Sequence, residues 1–204
     1  MWPMSKIEQL NQRYANDTGE DVIKGVLAHA RNPIATSKFG PNAEAFIQQL
    51  VKFAPNLPIV WIDVVFDNQA FRQNMQLLRK KYSLNVITVC APMSVVEKYQ
   101  GTRLPEYGCA EFTQFQQDIK VNPFEAFLQQ YQPDYWFTDI RQGESSDRQS
   151  LAMFNAKGES VIKVAPFALT TSYKRTQYTE HADRFNDVCK PSLNMECGLH
   201  LSSL

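Results

Sequence analysis

Apolar residues at Ile7, Leu10, Tyr14, Val22, Ile23, Val26 and Leu27 recur at helical intervals, and Asn16 to Gly19 interrupts them, so two helices open the chain. The pattern then changes to short apolar runs. Pro33 to Thr36 reads as a strand, Gly40 and Pro41 punctuate a loop, and Ala45, Phe46, Leu50, Val51 and Phe53 form one apolar helix face that Pro55 to Pro58 stops. Ile59 to Val65 is rich in β-branched and aromatic residues and carries no polar alternation, the pattern of a strand buried on both faces of a parallel sheet. A helix is predicted near 68 to 82, with Phe71, Met75, Leu78 and Tyr82 on one side, and a strand at Asn85 to Ala91. Pro92 to Gln114 reads as irregular. A helix from about Pro123 to Tyr131 precedes the strand YWFTDI, the polar segment RQGESSDRQS, and a strand pair around LAMFN and SVIKVAPF with the turn signal AKGE between them.

Strands alternating with helices predict an α/β fold: an open, mostly parallel sheet with helices on both faces. In such sheets ligands sit beyond the carboxyl ends of the strands. After Phe167 the periodicity disappears, and residues 168–204 read as a polar, irregular C-terminal arm. The chain has no internal repeat and no low-complexity tract, so one domain over 1–204 is expected, with residues 1–30 as its N-terminal helices.

Composition narrows the function. The 204 residues are 44% hydrophobic and 12% aromatic, enough for one sizeable core. No apolar run is long enough to span a bilayer and the N-terminus has no signal-peptide core, so a cytoplasmic protein without membrane contact is expected. The 21 basic and 21 acidic residues cancel, which argues against nucleic-acid coating and leaves room for a local anion pocket. Four cysteines, Cys90, Cys109, Cys189 and Cys197, contain no CxxC and are too scattered for a disulfide scaffold or structural zinc, so no metal site is expected. Cys90, within NVITVCA, is expected to behave as a small buried hydrophobe. Cys189 lies near enough to Cys197 in sequence to pair with it under oxidation. His29 and His181 are read as surface or helix-end residues.

Four short stretches fall at ends of predicted elements. Thr36-Ser37-Lys38-Phe39-Gly40, between a strand and a helix, offers hydroxyls, a lysine and backbone N–H groups to an anion, although turn geometry alone also accounts for such residues. Lys120, in DIKVNP just ahead of the helix that Pro123 would start, suits either an anion contact or a solvated surface lysine. Arg141 and Arg148, with Ser145 between them, can clamp a phosphate or sulfate through their guanidinium forks, or can pair with Glu144 and Asp147 on the surface. Glu196-Cys197-Gly198-Leu199-His200 places a thiol in a polar segment that has no core to serve. There Gly198 permits close backbone approach and His200 can stabilise a thiolate.

In this order the four stretches resemble the phosphoadenosine phosphosulfate reductases, thioredoxin-dependent sulfonucleotide reductases. Ser37-Lys38-Phe39-Gly40 is similar to that family's modified phosphate loop Ser-Ser-Phe-Gly. Lys120-Val121-Asn122-Pro123 is similar to its Lys-Val-Glu-Pro, and Arg141, Ser145 and Arg148 to its Arg-x-x-x-Ser-x-x-Arg loop. Residues 196 to 200 reproduce its Glu-Cys-Gly-Leu/Ile-His signature. The chain departs from the family at Asp63-Val64-Val65-Phe66-Asp67-Asn68, where an Asp-Thr-Gly segment is usual, at Glu144, and in a shorter stretch between Phe167 and Glu196.

The resemblance implies an adenine nucleotide alpha hydrolase-like fold. It further implies attack of the Cys197 thiolate on the phosphosulfate sulfur, with Thr36, Ser37, Lys38, Phe39, Gly40, Asp63, Lys120, Arg141, Ser145 and Arg148 binding the nucleotide and His200 assisting. Closure of the C-terminal arm over the substrate, thioredoxin or glutaredoxin as reductant, and a homodimer are implied as well. The relatives that reduce adenosine phosphosulfate hold an iron–sulfur cluster on a Cys-Cys pair and a CxxC. Their absence here implies a cluster-free enzyme for the 3'-phosphorylated nucleotide. Two other functions fit parts of the pattern: a nucleotide-binding or regulatory module without turnover, and an ATP pyrophosphatase of the related fold, although the latter's Ser-Gly-Gly-x-Asp-Ser loop is missing at Thr36 to Gly40.

Overall fold

The computed structural model describes residues 4–40, 43–66, 69–106, 109–142 and 151–169. Its helices are α1 (Met4–Arg13), α2 (Gly19–Leu27), α3 (Ala43–Phe53), α4 (Gln69–Tyr82), α5 (Met93–Glu97), α6 (Ala110–Gln116) and α7 (Asn122–Tyr131). Its strands are β1 (Ile34–Thr36), β2 (Ile59–Asp63), β3 (Val86–Cys90), β4 (Tyr135–Phe137), β5 (Phe154–Lys157) and β6 (Val161–Val164). They form one sheet in the order β3-β2-β1-β4-β6-β5, parallel except for the antiparallel edge strand β5. The fold is therefore the expected mostly parallel α/β sheet.

Chain order and handedness dictate where the helices go. The steps β1 to β2 and β2 to β3 move one way across the sheet, and the step from β3 to β4 returns past β1, so right-handed crossovers place their helices on opposite faces. Phe46, Ile47 and Leu50 of α3 and Met75 and Leu78 of α4 accordingly share a core with Val22, Ile23 and Val26 of α2 and with Ile59 and Trp61. On the other face Phe112, Phe115, Ile119, Phe124 and Leu128 cover Ile34, Val60, Ile62 and Trp136. Phe124 and Trp136 meet at 5.0 Å between ring centroids. Burying such an aromatic side chain contributes roughly 1.5–3 kcal/mol.

Local polar contacts set the frame. Thr18 and Asp21 form a capping box at the start of α2. Asp134 accepts from the backbone N–H groups of Arg31 and Asn32, at 2.6 and 3.0 Å, which ties the entry of β1 to the entry of β4. The edge strand β5 is closed off by α1: the Asn11 side chain donates to Phe154 O at 2.8 Å and accepts from Phe154 N at 2.9 Å. Those two bonds occupy the outward N–H and C=O of Phe154, which blunts this end of the edge as a template for another strand.

Three sequence expectations are corrected. Pro92 to Gln114 is not wholly irregular: it holds α5 and most of α6, both amphipathic pieces too short to register as helical periods. The final strands are shorter than expected and run Tyr135–Phe137, Phe154–Lys157 and Val161–Val164. Cys90 is exposed. It lies on the edge strand β3, where Thr88 and Cys90 are exposed while Val89 and Ala91 are buried, and an apolar run alone does not reveal that one face of an edge strand lacks cover.

Between the helices, Lys81 Nζ and Tyr82 Oη donate to Glu44 Oε1 at 2.8 and 2.7 Å. Burial by itself raises the Glu44 carboxyl, but the hydrogen bonds from Lys81 and Tyr82 outweigh it and hold the group below its ordinary value of 4.5. A carboxylate depressed on folding adds stability that is complete above its unfolded value and disappears as pH falls through the folded one. Thermal unfolding should therefore show Glu44→Gln less stable than the parent at pH 7, with the difference shrinking below about pH 4.5. A difference that stays constant down to pH 3 would exclude this linkage.

Candidate functional site

Strand order reverses between β1 and β4, which opens a crevice beyond their carboxyl ends. The loop after β1 is shaped from several sides. Ser37 N donates to Val60 O at 3.2 Å, and the Ser37 hydroxyl accepts from Phe39 N at 3.0 Å. Phe39 has a φ of +54°, a left-handed conformation uncommon for a bulky residue, and its ring is fully buried. Asn74 of α4 donates to Phe39 O at 2.8 Å and Gly40 O at 3.3 Å, and Lys38 Nζ lies 4.7 Å from the centre of the Phe71 ring. The Phe39 ring anchors the loop in the core, which leaves its backbone to face a ligand, and the neighbouring Ser37, Lys38 and Gly40 are only partly buried.

Thr36 ends β1, where its hydroxyl accepts from Trp136 Nε1 at 2.8 Å. Asp63 ends β2, accepts from Arg72 Nη2 at 2.7 Å and from Val65 N at 3.1 Å, and so is tied into its own loop. Beyond β4, Thr138 is buried and donates its N–H to Val164 O. Arg141 follows with its side chain 16% exposed and pairs with Asp139 at 2.9 Å. The surface pairing considered for Arg141 names Glu144 and Asp147, which lie outside the described residues, as do Ser145, Arg148, Cys189, Cys197 and His200.

Lys120 departs most from the sequence reading. It does stand just ahead of α7, whose first turn holds Pro123, but not in a loop. It lies in a π-helical turn, Gln117–Val121, that joins α6 to α7 in one continuous rod. It is 4% exposed, so it is not a solvated surface lysine. The turn is braced outside by Asp118, which accepts from Tyr99 Oη and Gln114 Nε2, each at 2.8 Å. Because α7 runs back toward the start of β4, its N-terminal end and Lys120 stand at the level of the strand carboxyl ends. A π-turn adds a residue to one helical turn and re-aims the side chains on it, a feature frequent at functional sites.

The topology therefore brings Thr36, Ser37, Lys38, Asp63, Lys120 and Arg141 to one edge of the sheet. Sequence reasoning missed Asn74, Arg72, Asp139, Trp136, Thr138 and Lys163. Lys163 is a lysine inside the apolar run SVIKVAPF and is 7% exposed. A charge interrupting a buried strand was its available signal.

The doubly wound sheet, with basic and hydroxyl groups at its switch point, is an α/β fold of the adenine nucleotide alpha hydrolase-like class. The solved structures agree. A phosphoadenylyl-sulfate reductase from Candida auris superposes with a TM-score of 0.71 at 15% identity, over 87% of this chain and 86% of that one. An FMN adenylyltransferase from Candida glabrata reaches 0.51 at 14% identity over 79% and 52%. The family model for the phosphoadenosine phosphosulfate reductase domain matches residues 32–184, and the chain belongs to that family. A phosphoadenosine 5'-phosphosulfate reductase of Xylella fastidiosa strain M12 is 27% identical over 185 residues, 89% of this chain and 77% of the relative.

Proposed function

We propose that the protein reduces 3'-phosphoadenosine 5'-phosphosulfate to sulfite and adenosine 3',5'-bisphosphate through an S-sulfocysteine on Cys197. The Cys197 thiolate attacks the sulfate sulfur, the bond from sulfur to the bridging oxygen breaks, and the nucleotide leaves with that electron pair on its 5'-phosphate. A thiolate of a dithiol protein of the thioredoxin or glutaredoxin class then attacks Cys197 Sγ. Sulfite leaves, and the second thiol of the donor resolves the mixed disulfide, so the donor is oxidised by two electrons.

Attack of an anion on an anionic group needs fixed positive charge to offset repulsion and to stabilise the leaving phosphate. In this reading Lys120, Arg141, Arg148 and His200 supply it, while Ser37, Lys38, Gly40 and Ser145 bind phosphate oxygens. The observation that carries the reading is Lys120, a cation 4% exposed at the strand edge that the family's ligand would occupy. Burial of an ammonium is costly, which favours a positional role over a solubilising one.

No iron–sulfur cluster is invoked, because the four cysteines include no adjacent pair and no CxxC. The reading also places the enzyme in the cytoplasm as a homodimer. No helix among the described residues is long and apolar enough to cross a membrane.

Intact-protein mass spectrometry after incubation with phosphoadenosine phosphosulfate, without reductant, should show one sulfonate adduct. Peptide mapping should place it on Cys197, and adding a reduced dithiol protein should remove it with release of sulfite. Nucleotide binding with no adduct would instead identify a binding module without turnover.

A further inference from the structure

Ile34 and Thr36 on β1, Trp136 on β4, and Lys163 on β6 share one face of the sheet, since Ile34 is in register with Trp136 and Trp136 with Lys163. Within that face three polar groups form a line. Lys163 Nζ stands 5.1 Å from the centre of the Trp136 ring, and Trp136 Nε1 donates to Thr36 Oγ1 at 2.8 Å. Trp136 is fully buried and Lys163 nearly so. A lysine in the middle of a buried strand is costly to desolvate.

We propose that Lys163 and Trp136 are positioning residues for the Thr36 hydroxyl, and that this hydroxyl donates its proton to an anionic oxygen of the bound nucleotide. The inference rests on the nucleotide-binding reading above and goes beyond it in assigning two residues that need not touch the ligand.

The chemistry follows from the donors and acceptors. A threonine hydroxyl has one proton and two lone pairs. The indole N–H occupies a lone pair, so the hydroxyl proton remains to be donated, and Thr36 ends its strand at the switch-point crevice. The ammonium on the indole draws electron density from the ring. That makes Nε1–H a stronger donor, and a hydroxyl that accepts a stronger hydrogen bond becomes a stronger donor itself. The ring is also held in one orientation, between Phe124 at 5.0 Å and Lys163.

The test is calorimetric binding of adenosine 3',5'-bisphosphate to the full chain and to Thr36→Val, Trp136→Phe, Lys163→Met and the double variant Thr36→Val/Trp136→Phe. Each single variant should weaken binding about threefold to tenfold. The double variant should bind like Thr36→Val alone, because without the hydroxyl the indole has nothing to orient. A readout independent of activity is the Trp136 indole N–H resonance, identified among three tryptophans by its loss in Trp136→Phe. It should move upfield in both Thr36→Val and Lys163→Met.

Urea unfolding separates binding from folding, and Lys163→Met keeps the side-chain stem. Folded Trp136→Phe and Lys163→Met variants that bind like the parent would overturn the inference while leaving nucleotide binding intact. Additive losses in the double variant would overturn it as well. A parent that does not bind the nucleotide would overturn the underlying reading and this inference with it.

Discussion

Cys197→Ser will abolish sulfite formation from phosphoadenosine phosphosulfate while leaving the affinity for adenosine 3',5'-bisphosphate within about twofold of the parent. The nucleophile must be a thiolate for two reasons. A serine hydroxyl is a poor nucleophile without an adjacent base, and a serine sulfate ester would not yield sulfite to an attacking thiol. Loss of the thiol therefore removes both half-reactions and not merely the rate of one. Binding should survive because the groups assigned to the nucleotide come from other segments: the loop after β1, the π-turn carrying Lys120, and the segment after β4. Sulfite measured under single-turnover conditions, beside calorimetry, distinguishes the outcomes. Retained sulfite release would assign the chemistry to another residue. Joint loss of binding and release would show that Cys197 serves the fold or the nucleotide.

Lys120→Met should raise KM for phosphoadenosine phosphosulfate by about 30-fold or more, since removing one partner of a desolvated charge contact costs about 2 kcal/mol or more. The kcat should fall as well if the ammonium is nearer to the leaving phosphate in the transition state than in the ground state. Methionine keeps the unbranched stem and removes the charge. If Lys120 serves the ligand, the loss should appear in KM and exceed any change in the denaturation midpoint measured without nucleotide, whereas removing one partner of a buried structural pair lowers that midpoint. That difference separates a ligand-facing cation from a structural one. An unchanged KM with a lower midpoint would assign Lys120 to the packing of the rod that joins α6 to α7.

Much of the fold was legible from periodicity because the local and tertiary requirements coincide. Ile59 to Val65 carries no polar alternation because β2 lies inside the sheet, between β1 and β3. The apolar face of 69–82 appears in sequence because one side of α4 packs on the core and the other meets solvent. The short helices were not legible: α5 spans five residues and α6 seven, too few for a helical period to repeat.

The candidate site divides along the same line. Ser37, Lys38, Lys120 and Arg141 could be singled out because they stand at element ends, where an α/β fold keeps its ligand contacts, and Asp63 only through the family resemblance. Their burial, partners and backbone states could not be read. A phenylalanine beside a glycine gives no sign that its own φ is positive, and a lysine ahead of a proline gives no sign that it lies inside a π-turn.

What the sequence determined by itself is the alternation of strands and helices, the class of sheet that follows from it, and the types of residue available at the strand ends. Those depend on hydrophobic period and turn chemistry, which act between near neighbours along the chain. Only the tertiary structure decided that Lys120 is buried, that Cys90 is exposed, that Arg72 holds Asp63, and that Lys163, Trp136 and Thr36 form one line. Each of these depends on how the elements pack, which sequence neighbours do not report, and the last depends on strand order over 100 positions: Thr36 and Trp136 are neighbours only because β4 lies beside β1.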